Sequence, residues 1–405
     1  MTSAVSAFPI RAGTRADVEE VVRLDGFAFG FTMTEQDIQD TLLTLDPNRF
    51  LLATDDEHIV GVTADYALTV TVPGGARLEV PGVTWVSVAV THRRMGILSA
   101  LMHEQLDGYR RAGRPLAMLT ASESAIYGRF GYGAATTRRG VSIERRRAVL
   151  RRPGDSRTVR MATAEQARPT MPGIHERWCA QIPGAIRRSA PWWDAWAFDR
   201  ESNRDGLSAR FHLLHEDGYL AYRTRETWTG GHAANTCLVT DYVALTDDAR
   251  RALWTVLLGL DLLVTIDTSM LAPEDPLPLL LTDPRQIRTT SVNDAVWVRL
   301  LDVAAALSAR TYGVEIDTVL AVTDAMFGDV TVRLEGGPDG ARCAPTTDPA
   351  EIVCGVADLG AAYLGGTRVS QLAAAGSVRS ERPDALRRLD RAFLADSAPF
   401  HGTGF

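Results

Sequence analysis

Between Trp85 and Met102 the chain changes character twice. A β-branched, alternating run, Trp85-Val86-Ser87-Val88-Ala89-Val90, leads into a polar turn at 91–95 and then into the apolar helix start Ile97-Leu98-Ser99-Ala100-Leu101-Met102. The turn carries Arg93, Arg94 and Met95, and Gly96 stands where the helix begins. Such a strand–turn–helix offers unpaired backbone N–H groups and a positive dipole end beside two guanidinium groups, which is a cradle for a pyrophosphate. Glycine at that point lets the phosphate approach the backbone closely. The strand before it can pair its open backbone with an extended pantetheine-like arm. Dinucleotide binding would use a similar turn, but no G-x-G-x-x-G occurs there. An Arg-rich solvent turn before a core helix is the plainer alternative on these residues alone.

A second run follows some thirty residues on, Ser122-Glu123-Ser124-Ala125-Ile126-Tyr127-Gly128-Arg129-Phe130-Gly131-Tyr132-Gly133. It combines a short helical turn with an aromatic–glycine break. Composition narrows the chemistry further. All 43 basic residues are Arg, so Schiff-base chemistry, pyridoxal phosphate attachment and a Walker-type lysine are excluded. A formal charge of −7 argues against a nucleic-acid partner, which needs a basic stripe, and suits a cationic substrate. Cys179, Cys237, Cys343 and Cys354 are far apart with no C-x-x-C spacing, so reduced thiols and a cytoplasmic setting are expected. His212 and His215 read as part of a strand entering a turn, and no metal site is expected. The first residues lack a basic region followed by an apolar run and read as no signal peptide. Leu253 to Ile266 is too short to span a bilayer and contains Asp261, so no membrane segment is expected.

The elements that must position these residues are α/β in the first part of the chain. Arg15 to Leu24 has helical spacing, with Thr14 as N-cap and Asp17 in the first turn. Phe50–Thr54 and Ile59–Leu68 read as a hairpin, and Leu116–Thr120 as a buried strand. Residues 1–150 are expected to form one domain, with the Arg-rich stretch 145–152 as a solvated helix end and linker. In 151–295 the order of strand, hairpin, long strand, polar turn and apolar helix recurs, which indicates a degenerate repeat. Residues 296–405 read as a small α+β domain, ending in an aromatic, glycine-containing tail at 399–405 that is expected to dock.

The runs 86–98 and 121–133 together resemble the Gcn5-related N-acetyltransferase (GNAT) superfamily, and within it the enhanced-intracellular-survival (Eis) family of actinobacteria. The resemblance extends over essentially the whole chain and implies two tandem acetyltransferase-like domains followed by a sterol-carrier-protein-like domain. It implies acetyl transfer from acetyl-CoA, without a metal, to amines of aminoglycoside antibiotics at more than one position, by a homohexamer. Carried over, Val86, Ser87 and Val88 hold the pantetheine and acetyl carbonyl, with Val86 and Val88 acting through their backbone. Arg93, Arg94, Met95, Gly96, Ile97, Leu98 and Ser99 surround the pyrophosphate, and Ser122 and Glu123 lie along the CoA arm. The resemblance makes Tyr127 the general acid and the carboxylate of Phe405 the general base. From the residues alone, Tyr132 is as eligible as Tyr127.

The chemistry requires such groups, because an amine attacking a thioester must lose a proton and the departing thiolate must gain one. A tetrahedral oxyanion also needs donors, which a distorted strand near Val88 can supply. No Trp occurs before Trp85, so an early aromatic platform for the acceptor is expected from Phe27, Phe29 or Phe31, with Asp25, Glu35 and Asp37 as acidic candidates beside them. Gly404 precedes Phe405, so no acidic side chain accompanies the last residue; Leu98 stands where the usual acetyltransferase motif has a small residue two after the glycine, a bulky residue that the Eis resemblance shares. In the second domain Asp247 and Asp248 stand where Arg93, Arg94 and Gly96 stand in the first, so one CoA site per chain is expected, with the middle domain walling the pocket and making subunit contacts. Two other readings carry weight: acetylation of protein lysines or polyamines, and a non-catalytic lipid-binding or scaffolding role for the third domain.

Overall fold

The computed structural model describes residues 8–405 and divides into two compact units. The first comprises residues up to 136, 295–396 and 404–405, and the second 137–294 with 397–403.

The first unit is built on a seven-stranded sheet in the spatial order Ile10–Ala12, Leu51–Asp55, His58–Thr71, Arg77–Val88, Leu116–Thr120, Val296–Leu300 and Gly133–Ala134. Every neighbouring pair is antiparallel except Arg77–Val88 with Leu116–Thr120, which is parallel and whose ladder holds only two residue pairs, Gly82–Met118 and Val83–Leu119. Beyond them the two strands diverge. A bulge sharpens the divergence: opposite Val62 to Ala64, strand Arg77–Val88 spends one residue more, passing from Ser87 to Thr84, and Trp85 there has φ +51°. The partner strand is pinned at the same level. Gln105, buried on helix Ile97–Arg111, accepts a hydrogen bond from the Thr63 hydroxyl at 2.9 Å and donates to the Ala64 carbonyl at 3.2 Å. That helix buries Ile97, Leu101, Met102, Gln105 and Leu106, the four-residue spacing that gives one face to the sheet. On helix Val18–Phe29, Val18, Val21, Leu24 and Asp25 face inward, and the preceding turn is closed by Thr14, whose N–H and hydroxyl both donate to Asp17 at 2.8 Å.

A second, four-stranded sheet completes this unit, ordered Gly340–Pro345, Val330–Gly337, Ile316–Thr323 and Ile352–Gly355, with helices Val356–Ala362, Val369–Ala374 and Pro383–Phe393 following it. The strand Val296–Leu300, read above with the third domain, inserts between Leu116–Thr120 and Gly133–Ala134 in the first sheet.

The second unit repeats the plan. Its sheet runs Ile287–Asp294, Thr137–Glu144, Leu263–Leu271, Asn235–Ala244, Gly218–Arg225, Phe211–His215 and Arg160–Ala162, again with a single parallel pair, Asn235–Ala244 with Leu263–Leu271. Strand Thr137–Glu144, counted with 1–150 in the sequence, therefore pairs in this sheet. The stretch 145–152 is no helix end: it forms turns and buries Ala148 and Leu150 in the second unit's core, because its apolar residues have a core to enter.

Residues 397–403 pack into the second unit. Phe400 joins the core of Met171, Ile174, Trp178, Tyr219 and Val243, and Ile186 donates to the His401 carbonyl at 3.0 Å. Arg188, buried against Asp241 at 2.5 Å, donates to the Gly402 carbonyl at 2.8 Å and to the Thr403 hydroxyl at 3.0 Å. Burial, aided by Arg138 and Arg188, lowers His401 to about 4, and burial with Arg188 lowers His175 to about 2. Histidines held below their unfolded value of about 6.5 stay neutral in the fold while the unfolded chain takes up protons, so stability is full above pH 6.5 and declines as pH falls toward 4. Denaturant midpoints followed by tryptophan fluorescence should drop from pH 7 to pH 4.5, and His401→Gln should reduce that drop. A pH-independent midpoint would contradict the assignment.

Candidate active site

Where the parallel strands part, a pocket of about 210 Å³ opens, lined by Asp25, Phe29, Val83, Thr84, Trp85, Val86, Thr120, Ser122, Tyr127 and Phe405. Its wall is the stretch of Arg77–Val88 that has lost its parallel partner, so the backbone edge from Thr84 onward is free of that ladder. At the continuation of this strand the chain turns through Arg94 at φ +65° and Gly96 at φ +86° into helix Ile97–Arg111. The positive φ at Gly96 is a conformation that a side chain resists. No side chain caps this helix, and its first N–H groups, at Ile97, Leu98 and Ser99, have no carbonyl a turn earlier within the helix to bond. Arg93, Arg94 and Met95 are exposed around it, while Ile97 is buried and anchors the turn. An uncapped fifteen-residue helix start beside an open strand edge suits a diphosphate followed by an amide-bearing arm, the two halves of CoA.

The side chains of the pocket come from distant parts of the chain. Tyr127 ends the short helix Ser124–Tyr127 and is 8% exposed; burial, and next the charge of Glu123, push its hydroxyl up to about 12, so it stays protonated throughout the neutral range. Tyr132 is fully buried in the core, its ring edge-on to that of Tyr127 at 6.2 Å, and does not line the pocket. Phe405 enters from the end of the chain: the Thr120 hydroxyl donates to its backbone oxygen at 2.9 Å, and its ring lies over Gly82, where a Cβ would stand 3.0 Å from the Phe405 Cε2 atom. Asp25 is buried and accepts a short hydrogen bond from the Ser87 hydroxyl; burial raises its carboxyl above the usual range, partly offset by that hydrogen bond.

Of the residues singled out from the sequence, the pocket brings together Asp25, Phe29, Val86, Ser122, Tyr127 and Phe405. Ser87 reaches it through Asp25, and Val88 lies along the same strand. Glu123 is exposed at the start of the Tyr127 helix. Phe27, Phe31 and Glu35 are exposed outside the lining, Phe27 at 77%. Trp85, Thr84, Thr120 and Gly82 were not anticipated: their roles depend on a bulge and on a contact across 285 positions of sequence, neither of which leaves a local pattern. Among the described residues no cluster of three or more His, Cys, Asp or Glu forms a metal-binding group, and no helix is long and apolar enough to cross a membrane.

The second unit shows the same divergence of parallel strands but a different helix start. Thr246 caps helix Asp247–Gly259 by accepting from the Ala249 N–H at 3.2 Å, and Asp247 and Asp248 project from its first turn. Two carboxylates at that position repel a diphosphate.

Comparison with known proteins identifies the domains and the family. Acetyltransferase (GNAT) domain models match residues 9–135 and 184–300, and a sterol carrier protein domain model matches 303–402. The N-acetyltransferase Eis of Mycobacterium tuberculosis is 40% identical over 347 residues, 84% of either chain. An uncharacterized N-acetyltransferase of Streptomyces coelicolor is 39% identical over 358 residues, 86% of either chain. The crystal structure of Eis1 from Mycobacterium abscessus, 35% identical, superposes with a TM-score of 0.88, covering 98% of this chain and 100% of that one. The chain belongs to the Eis family of N-acetyltransferases, with two GNAT domains followed by a sterol-carrier-type domain.

Proposed function

We propose that this acetyltransferase transfers the acetyl group of acetyl-CoA to primary amines of aminoglycoside-type substrates, in the pocket at the parted strands of the first unit. The observation that carries the reading is that Tyr127 and Phe405 line one pocket beside an open strand edge and an uncapped helix start. Arg93, Arg94, Met95 and the backbone of Gly96, Ile97, Leu98 and Ser99 would hold the diphosphate, and Val86, Ser87 and Val88 would flank the pantetheine arm, with Ser122 and Glu123 alongside. Bound there, acetyl-CoA supplies the activated acyl group.

The residues of the chain then divide the proton traffic. The carboxylate of Phe405, oriented by the Thr120 hydroxyl, takes a proton from the acceptor ammonium so that the amine can attack. Backbone N–H groups of the bulged strand would serve as donors to the carbonyl oxygen as it gains charge. Tyr127, kept protonated by its buried setting, donates its phenolic proton to the departing sulfur and is restored by the second proton, which the nitrogen sheds as the amide forms. Asp25 and Phe29 on helix Val18–Phe29, with Trp85 across the pocket, offer a carboxylate and aromatic faces to a polycationic sugar. Four buried, widely spaced cysteines with no C-x-x-C pair support a cytoplasmic setting, and a homohexamer is the assembly proposed from the family.

Thiol release from acetyl-CoA with kanamycin as acceptor tests the reading, with a Lys-containing peptide as the competing acceptor. Tyr127→Phe and a form extended by one residue after Phe405 should each lower kcat about a hundredfold or more, the scale of a lost general acid or base. Turnover confined to the peptide would move the assignment to protein acetylation, and full activity of the extended form would remove Phe405 from the mechanism. Gly82→Ala, whose new methyl meets Leu68 and the Phe405 ring, should lower kcat about tenfold or more through displacement of Phe405 while leaving acetyl-CoA affinity intact. Calorimetric titration with CoA should give one site per chain; two would contradict the reading of the second unit.

A further inference from the structure

We propose that Arg299 and Asp324 form a positioning pair that holds the Tyr127 turn in place, so that the sterol-carrier-type region takes part in acetyl transfer by supporting the proton donor. The proposal rests on Tyr127 being that donor.

Arg299 lies on strand Val296–Leu300 and has no solvent exposure; its Nη2 meets Asp324 Oδ2 at 2.7 Å, and Asp324 is itself 9% exposed. The other oxygen of Asp324 accepts from the N–H groups of Met326 at 3.0 Å and Phe327 at 3.3 Å, which fixes the loop that follows. Phe327 returns against the pair, its ring centroid 5.0 Å from the Arg299 guanidinium carbon. Asp324 and Phe327 belong to the segment matching the sterol carrier domain, whereas Arg299 sits in the sheet that carries the active site.

The flat guanidinium supports the donor's turn. Residues 127–132 form one hydrogen-bonded turn, with Gly131 N–H donating to the Gly128 carbonyl at 2.9 Å and Tyr132 N–H to the Tyr127 carbonyl at 3.3 Å. At Gly131 the backbone takes φ +81°, and a Cβ there would lie 2.8 Å from Cζ, Nε and Nη1 of Arg299. Only glycine allows the turn to lie on the guanidinium plane this closely. Tyr127, Phe130 and Tyr132 then share one core with Trp297, Met326 and Phe327. Stability is a poor reason for this arrangement, since a buried ion pair replaced by well-packed apolar groups is often neutral or stabilising. A planar, always-charged group that contacts both the loop and the turn gives a defined geometry that a flexible side chain of similar volume does not.

The test compares wild type, Arg299→Met/Asp324→Leu, Tyr127→Phe, and the combination of all three. Removing both members of the pair avoids leaving a buried charge unpaired. The pair variant should remain folded by circular dichroism and bind CoA as wild type does, with kcat lowered about tenfold to a hundredfold, as expected of a misplaced catalytic group. Because the effect runs through Tyr127, the pair substitution should add no further loss in the Tyr127→Phe background. If the pair variant does not fold, Gly131→Ala, which keeps the ion pair and pushes the turn off it, should show the same kcat loss and the same non-additivity. Wild-type kcat in the pair variant, or losses that multiply in the Tyr127→Phe background, would overturn the positioning role while leaving the donor in place. Full activity of Tyr127→Phe itself would overturn the donor assignment, and this proposal with it.

Discussion

A parallel ladder that stops after two residue pairs governs the chemistry of this molecule. Strands Arg77–Val88 and Leu116–Thr120 hold together only at Gly82–Met118 and Val83–Leu119, and the bulge at Trp85 turns the first strand away from the second. Unpaired strand edges in a protein interior are costly unless something bonds them. Here the open edge faces a polar pocket, so a ligand with amide groups can complete the ladder that the protein leaves unfinished. Gln105 holds the neighbouring strand at the level of the bulge through Thr63 and Ala64, and so helps to fix where the ladder ends.

The second unit shows the same divergence with different side chains at the helix start. In both units a helix of similar length connects the two strands of the parted parallel pair. In one, glycine at positive φ leaves the helix start bare beside two arginines. In the other, a threonine caps the helix and two aspartates project from its first turn. The backbone plan is common to both, and the units differ in the capping and charge at the helix start, the difference on which the proposed single CoA site rests. The second unit instead holds residues 397–403 through Arg188 and its aromatic core, just before the chain supplies Phe405 to the first unit's pocket.

The strand, turn, glycine and helix at 86–102 were legible in the sequence because they follow one another along the chain, as do the residues around Tyr127. Tyr127 and Tyr132 stand in the same aromatic turn and the residues alone left both eligible, the resemblance favouring Tyr127; Tyr127 lines the pocket and Tyr132 lies in the core. The exchange of strands between sheets was not legible. Thr137–Glu144 carries two arginines and a glycine that mask its alternation, and Val296–Leu300 reads as a generic buried strand with no mark of the sheet it joins. Phe27, Phe29 and Phe31 illustrate the same limit. The residues left all three open as an aromatic platform, and the helix that ends at Phe29 places only that ring in the pocket lining.

Backbone hydrogen–deuterium exchange with and without acetyl-CoA tests the central claim most directly, because it reads the very N–H groups that the parted strands and the bare helix start expose. The account predicts slowed exchange at 84–88 and 96–99 on binding, with 236–250 in the second unit unchanged. Protection confined to 236–250, or absent from 84–88, would contradict it.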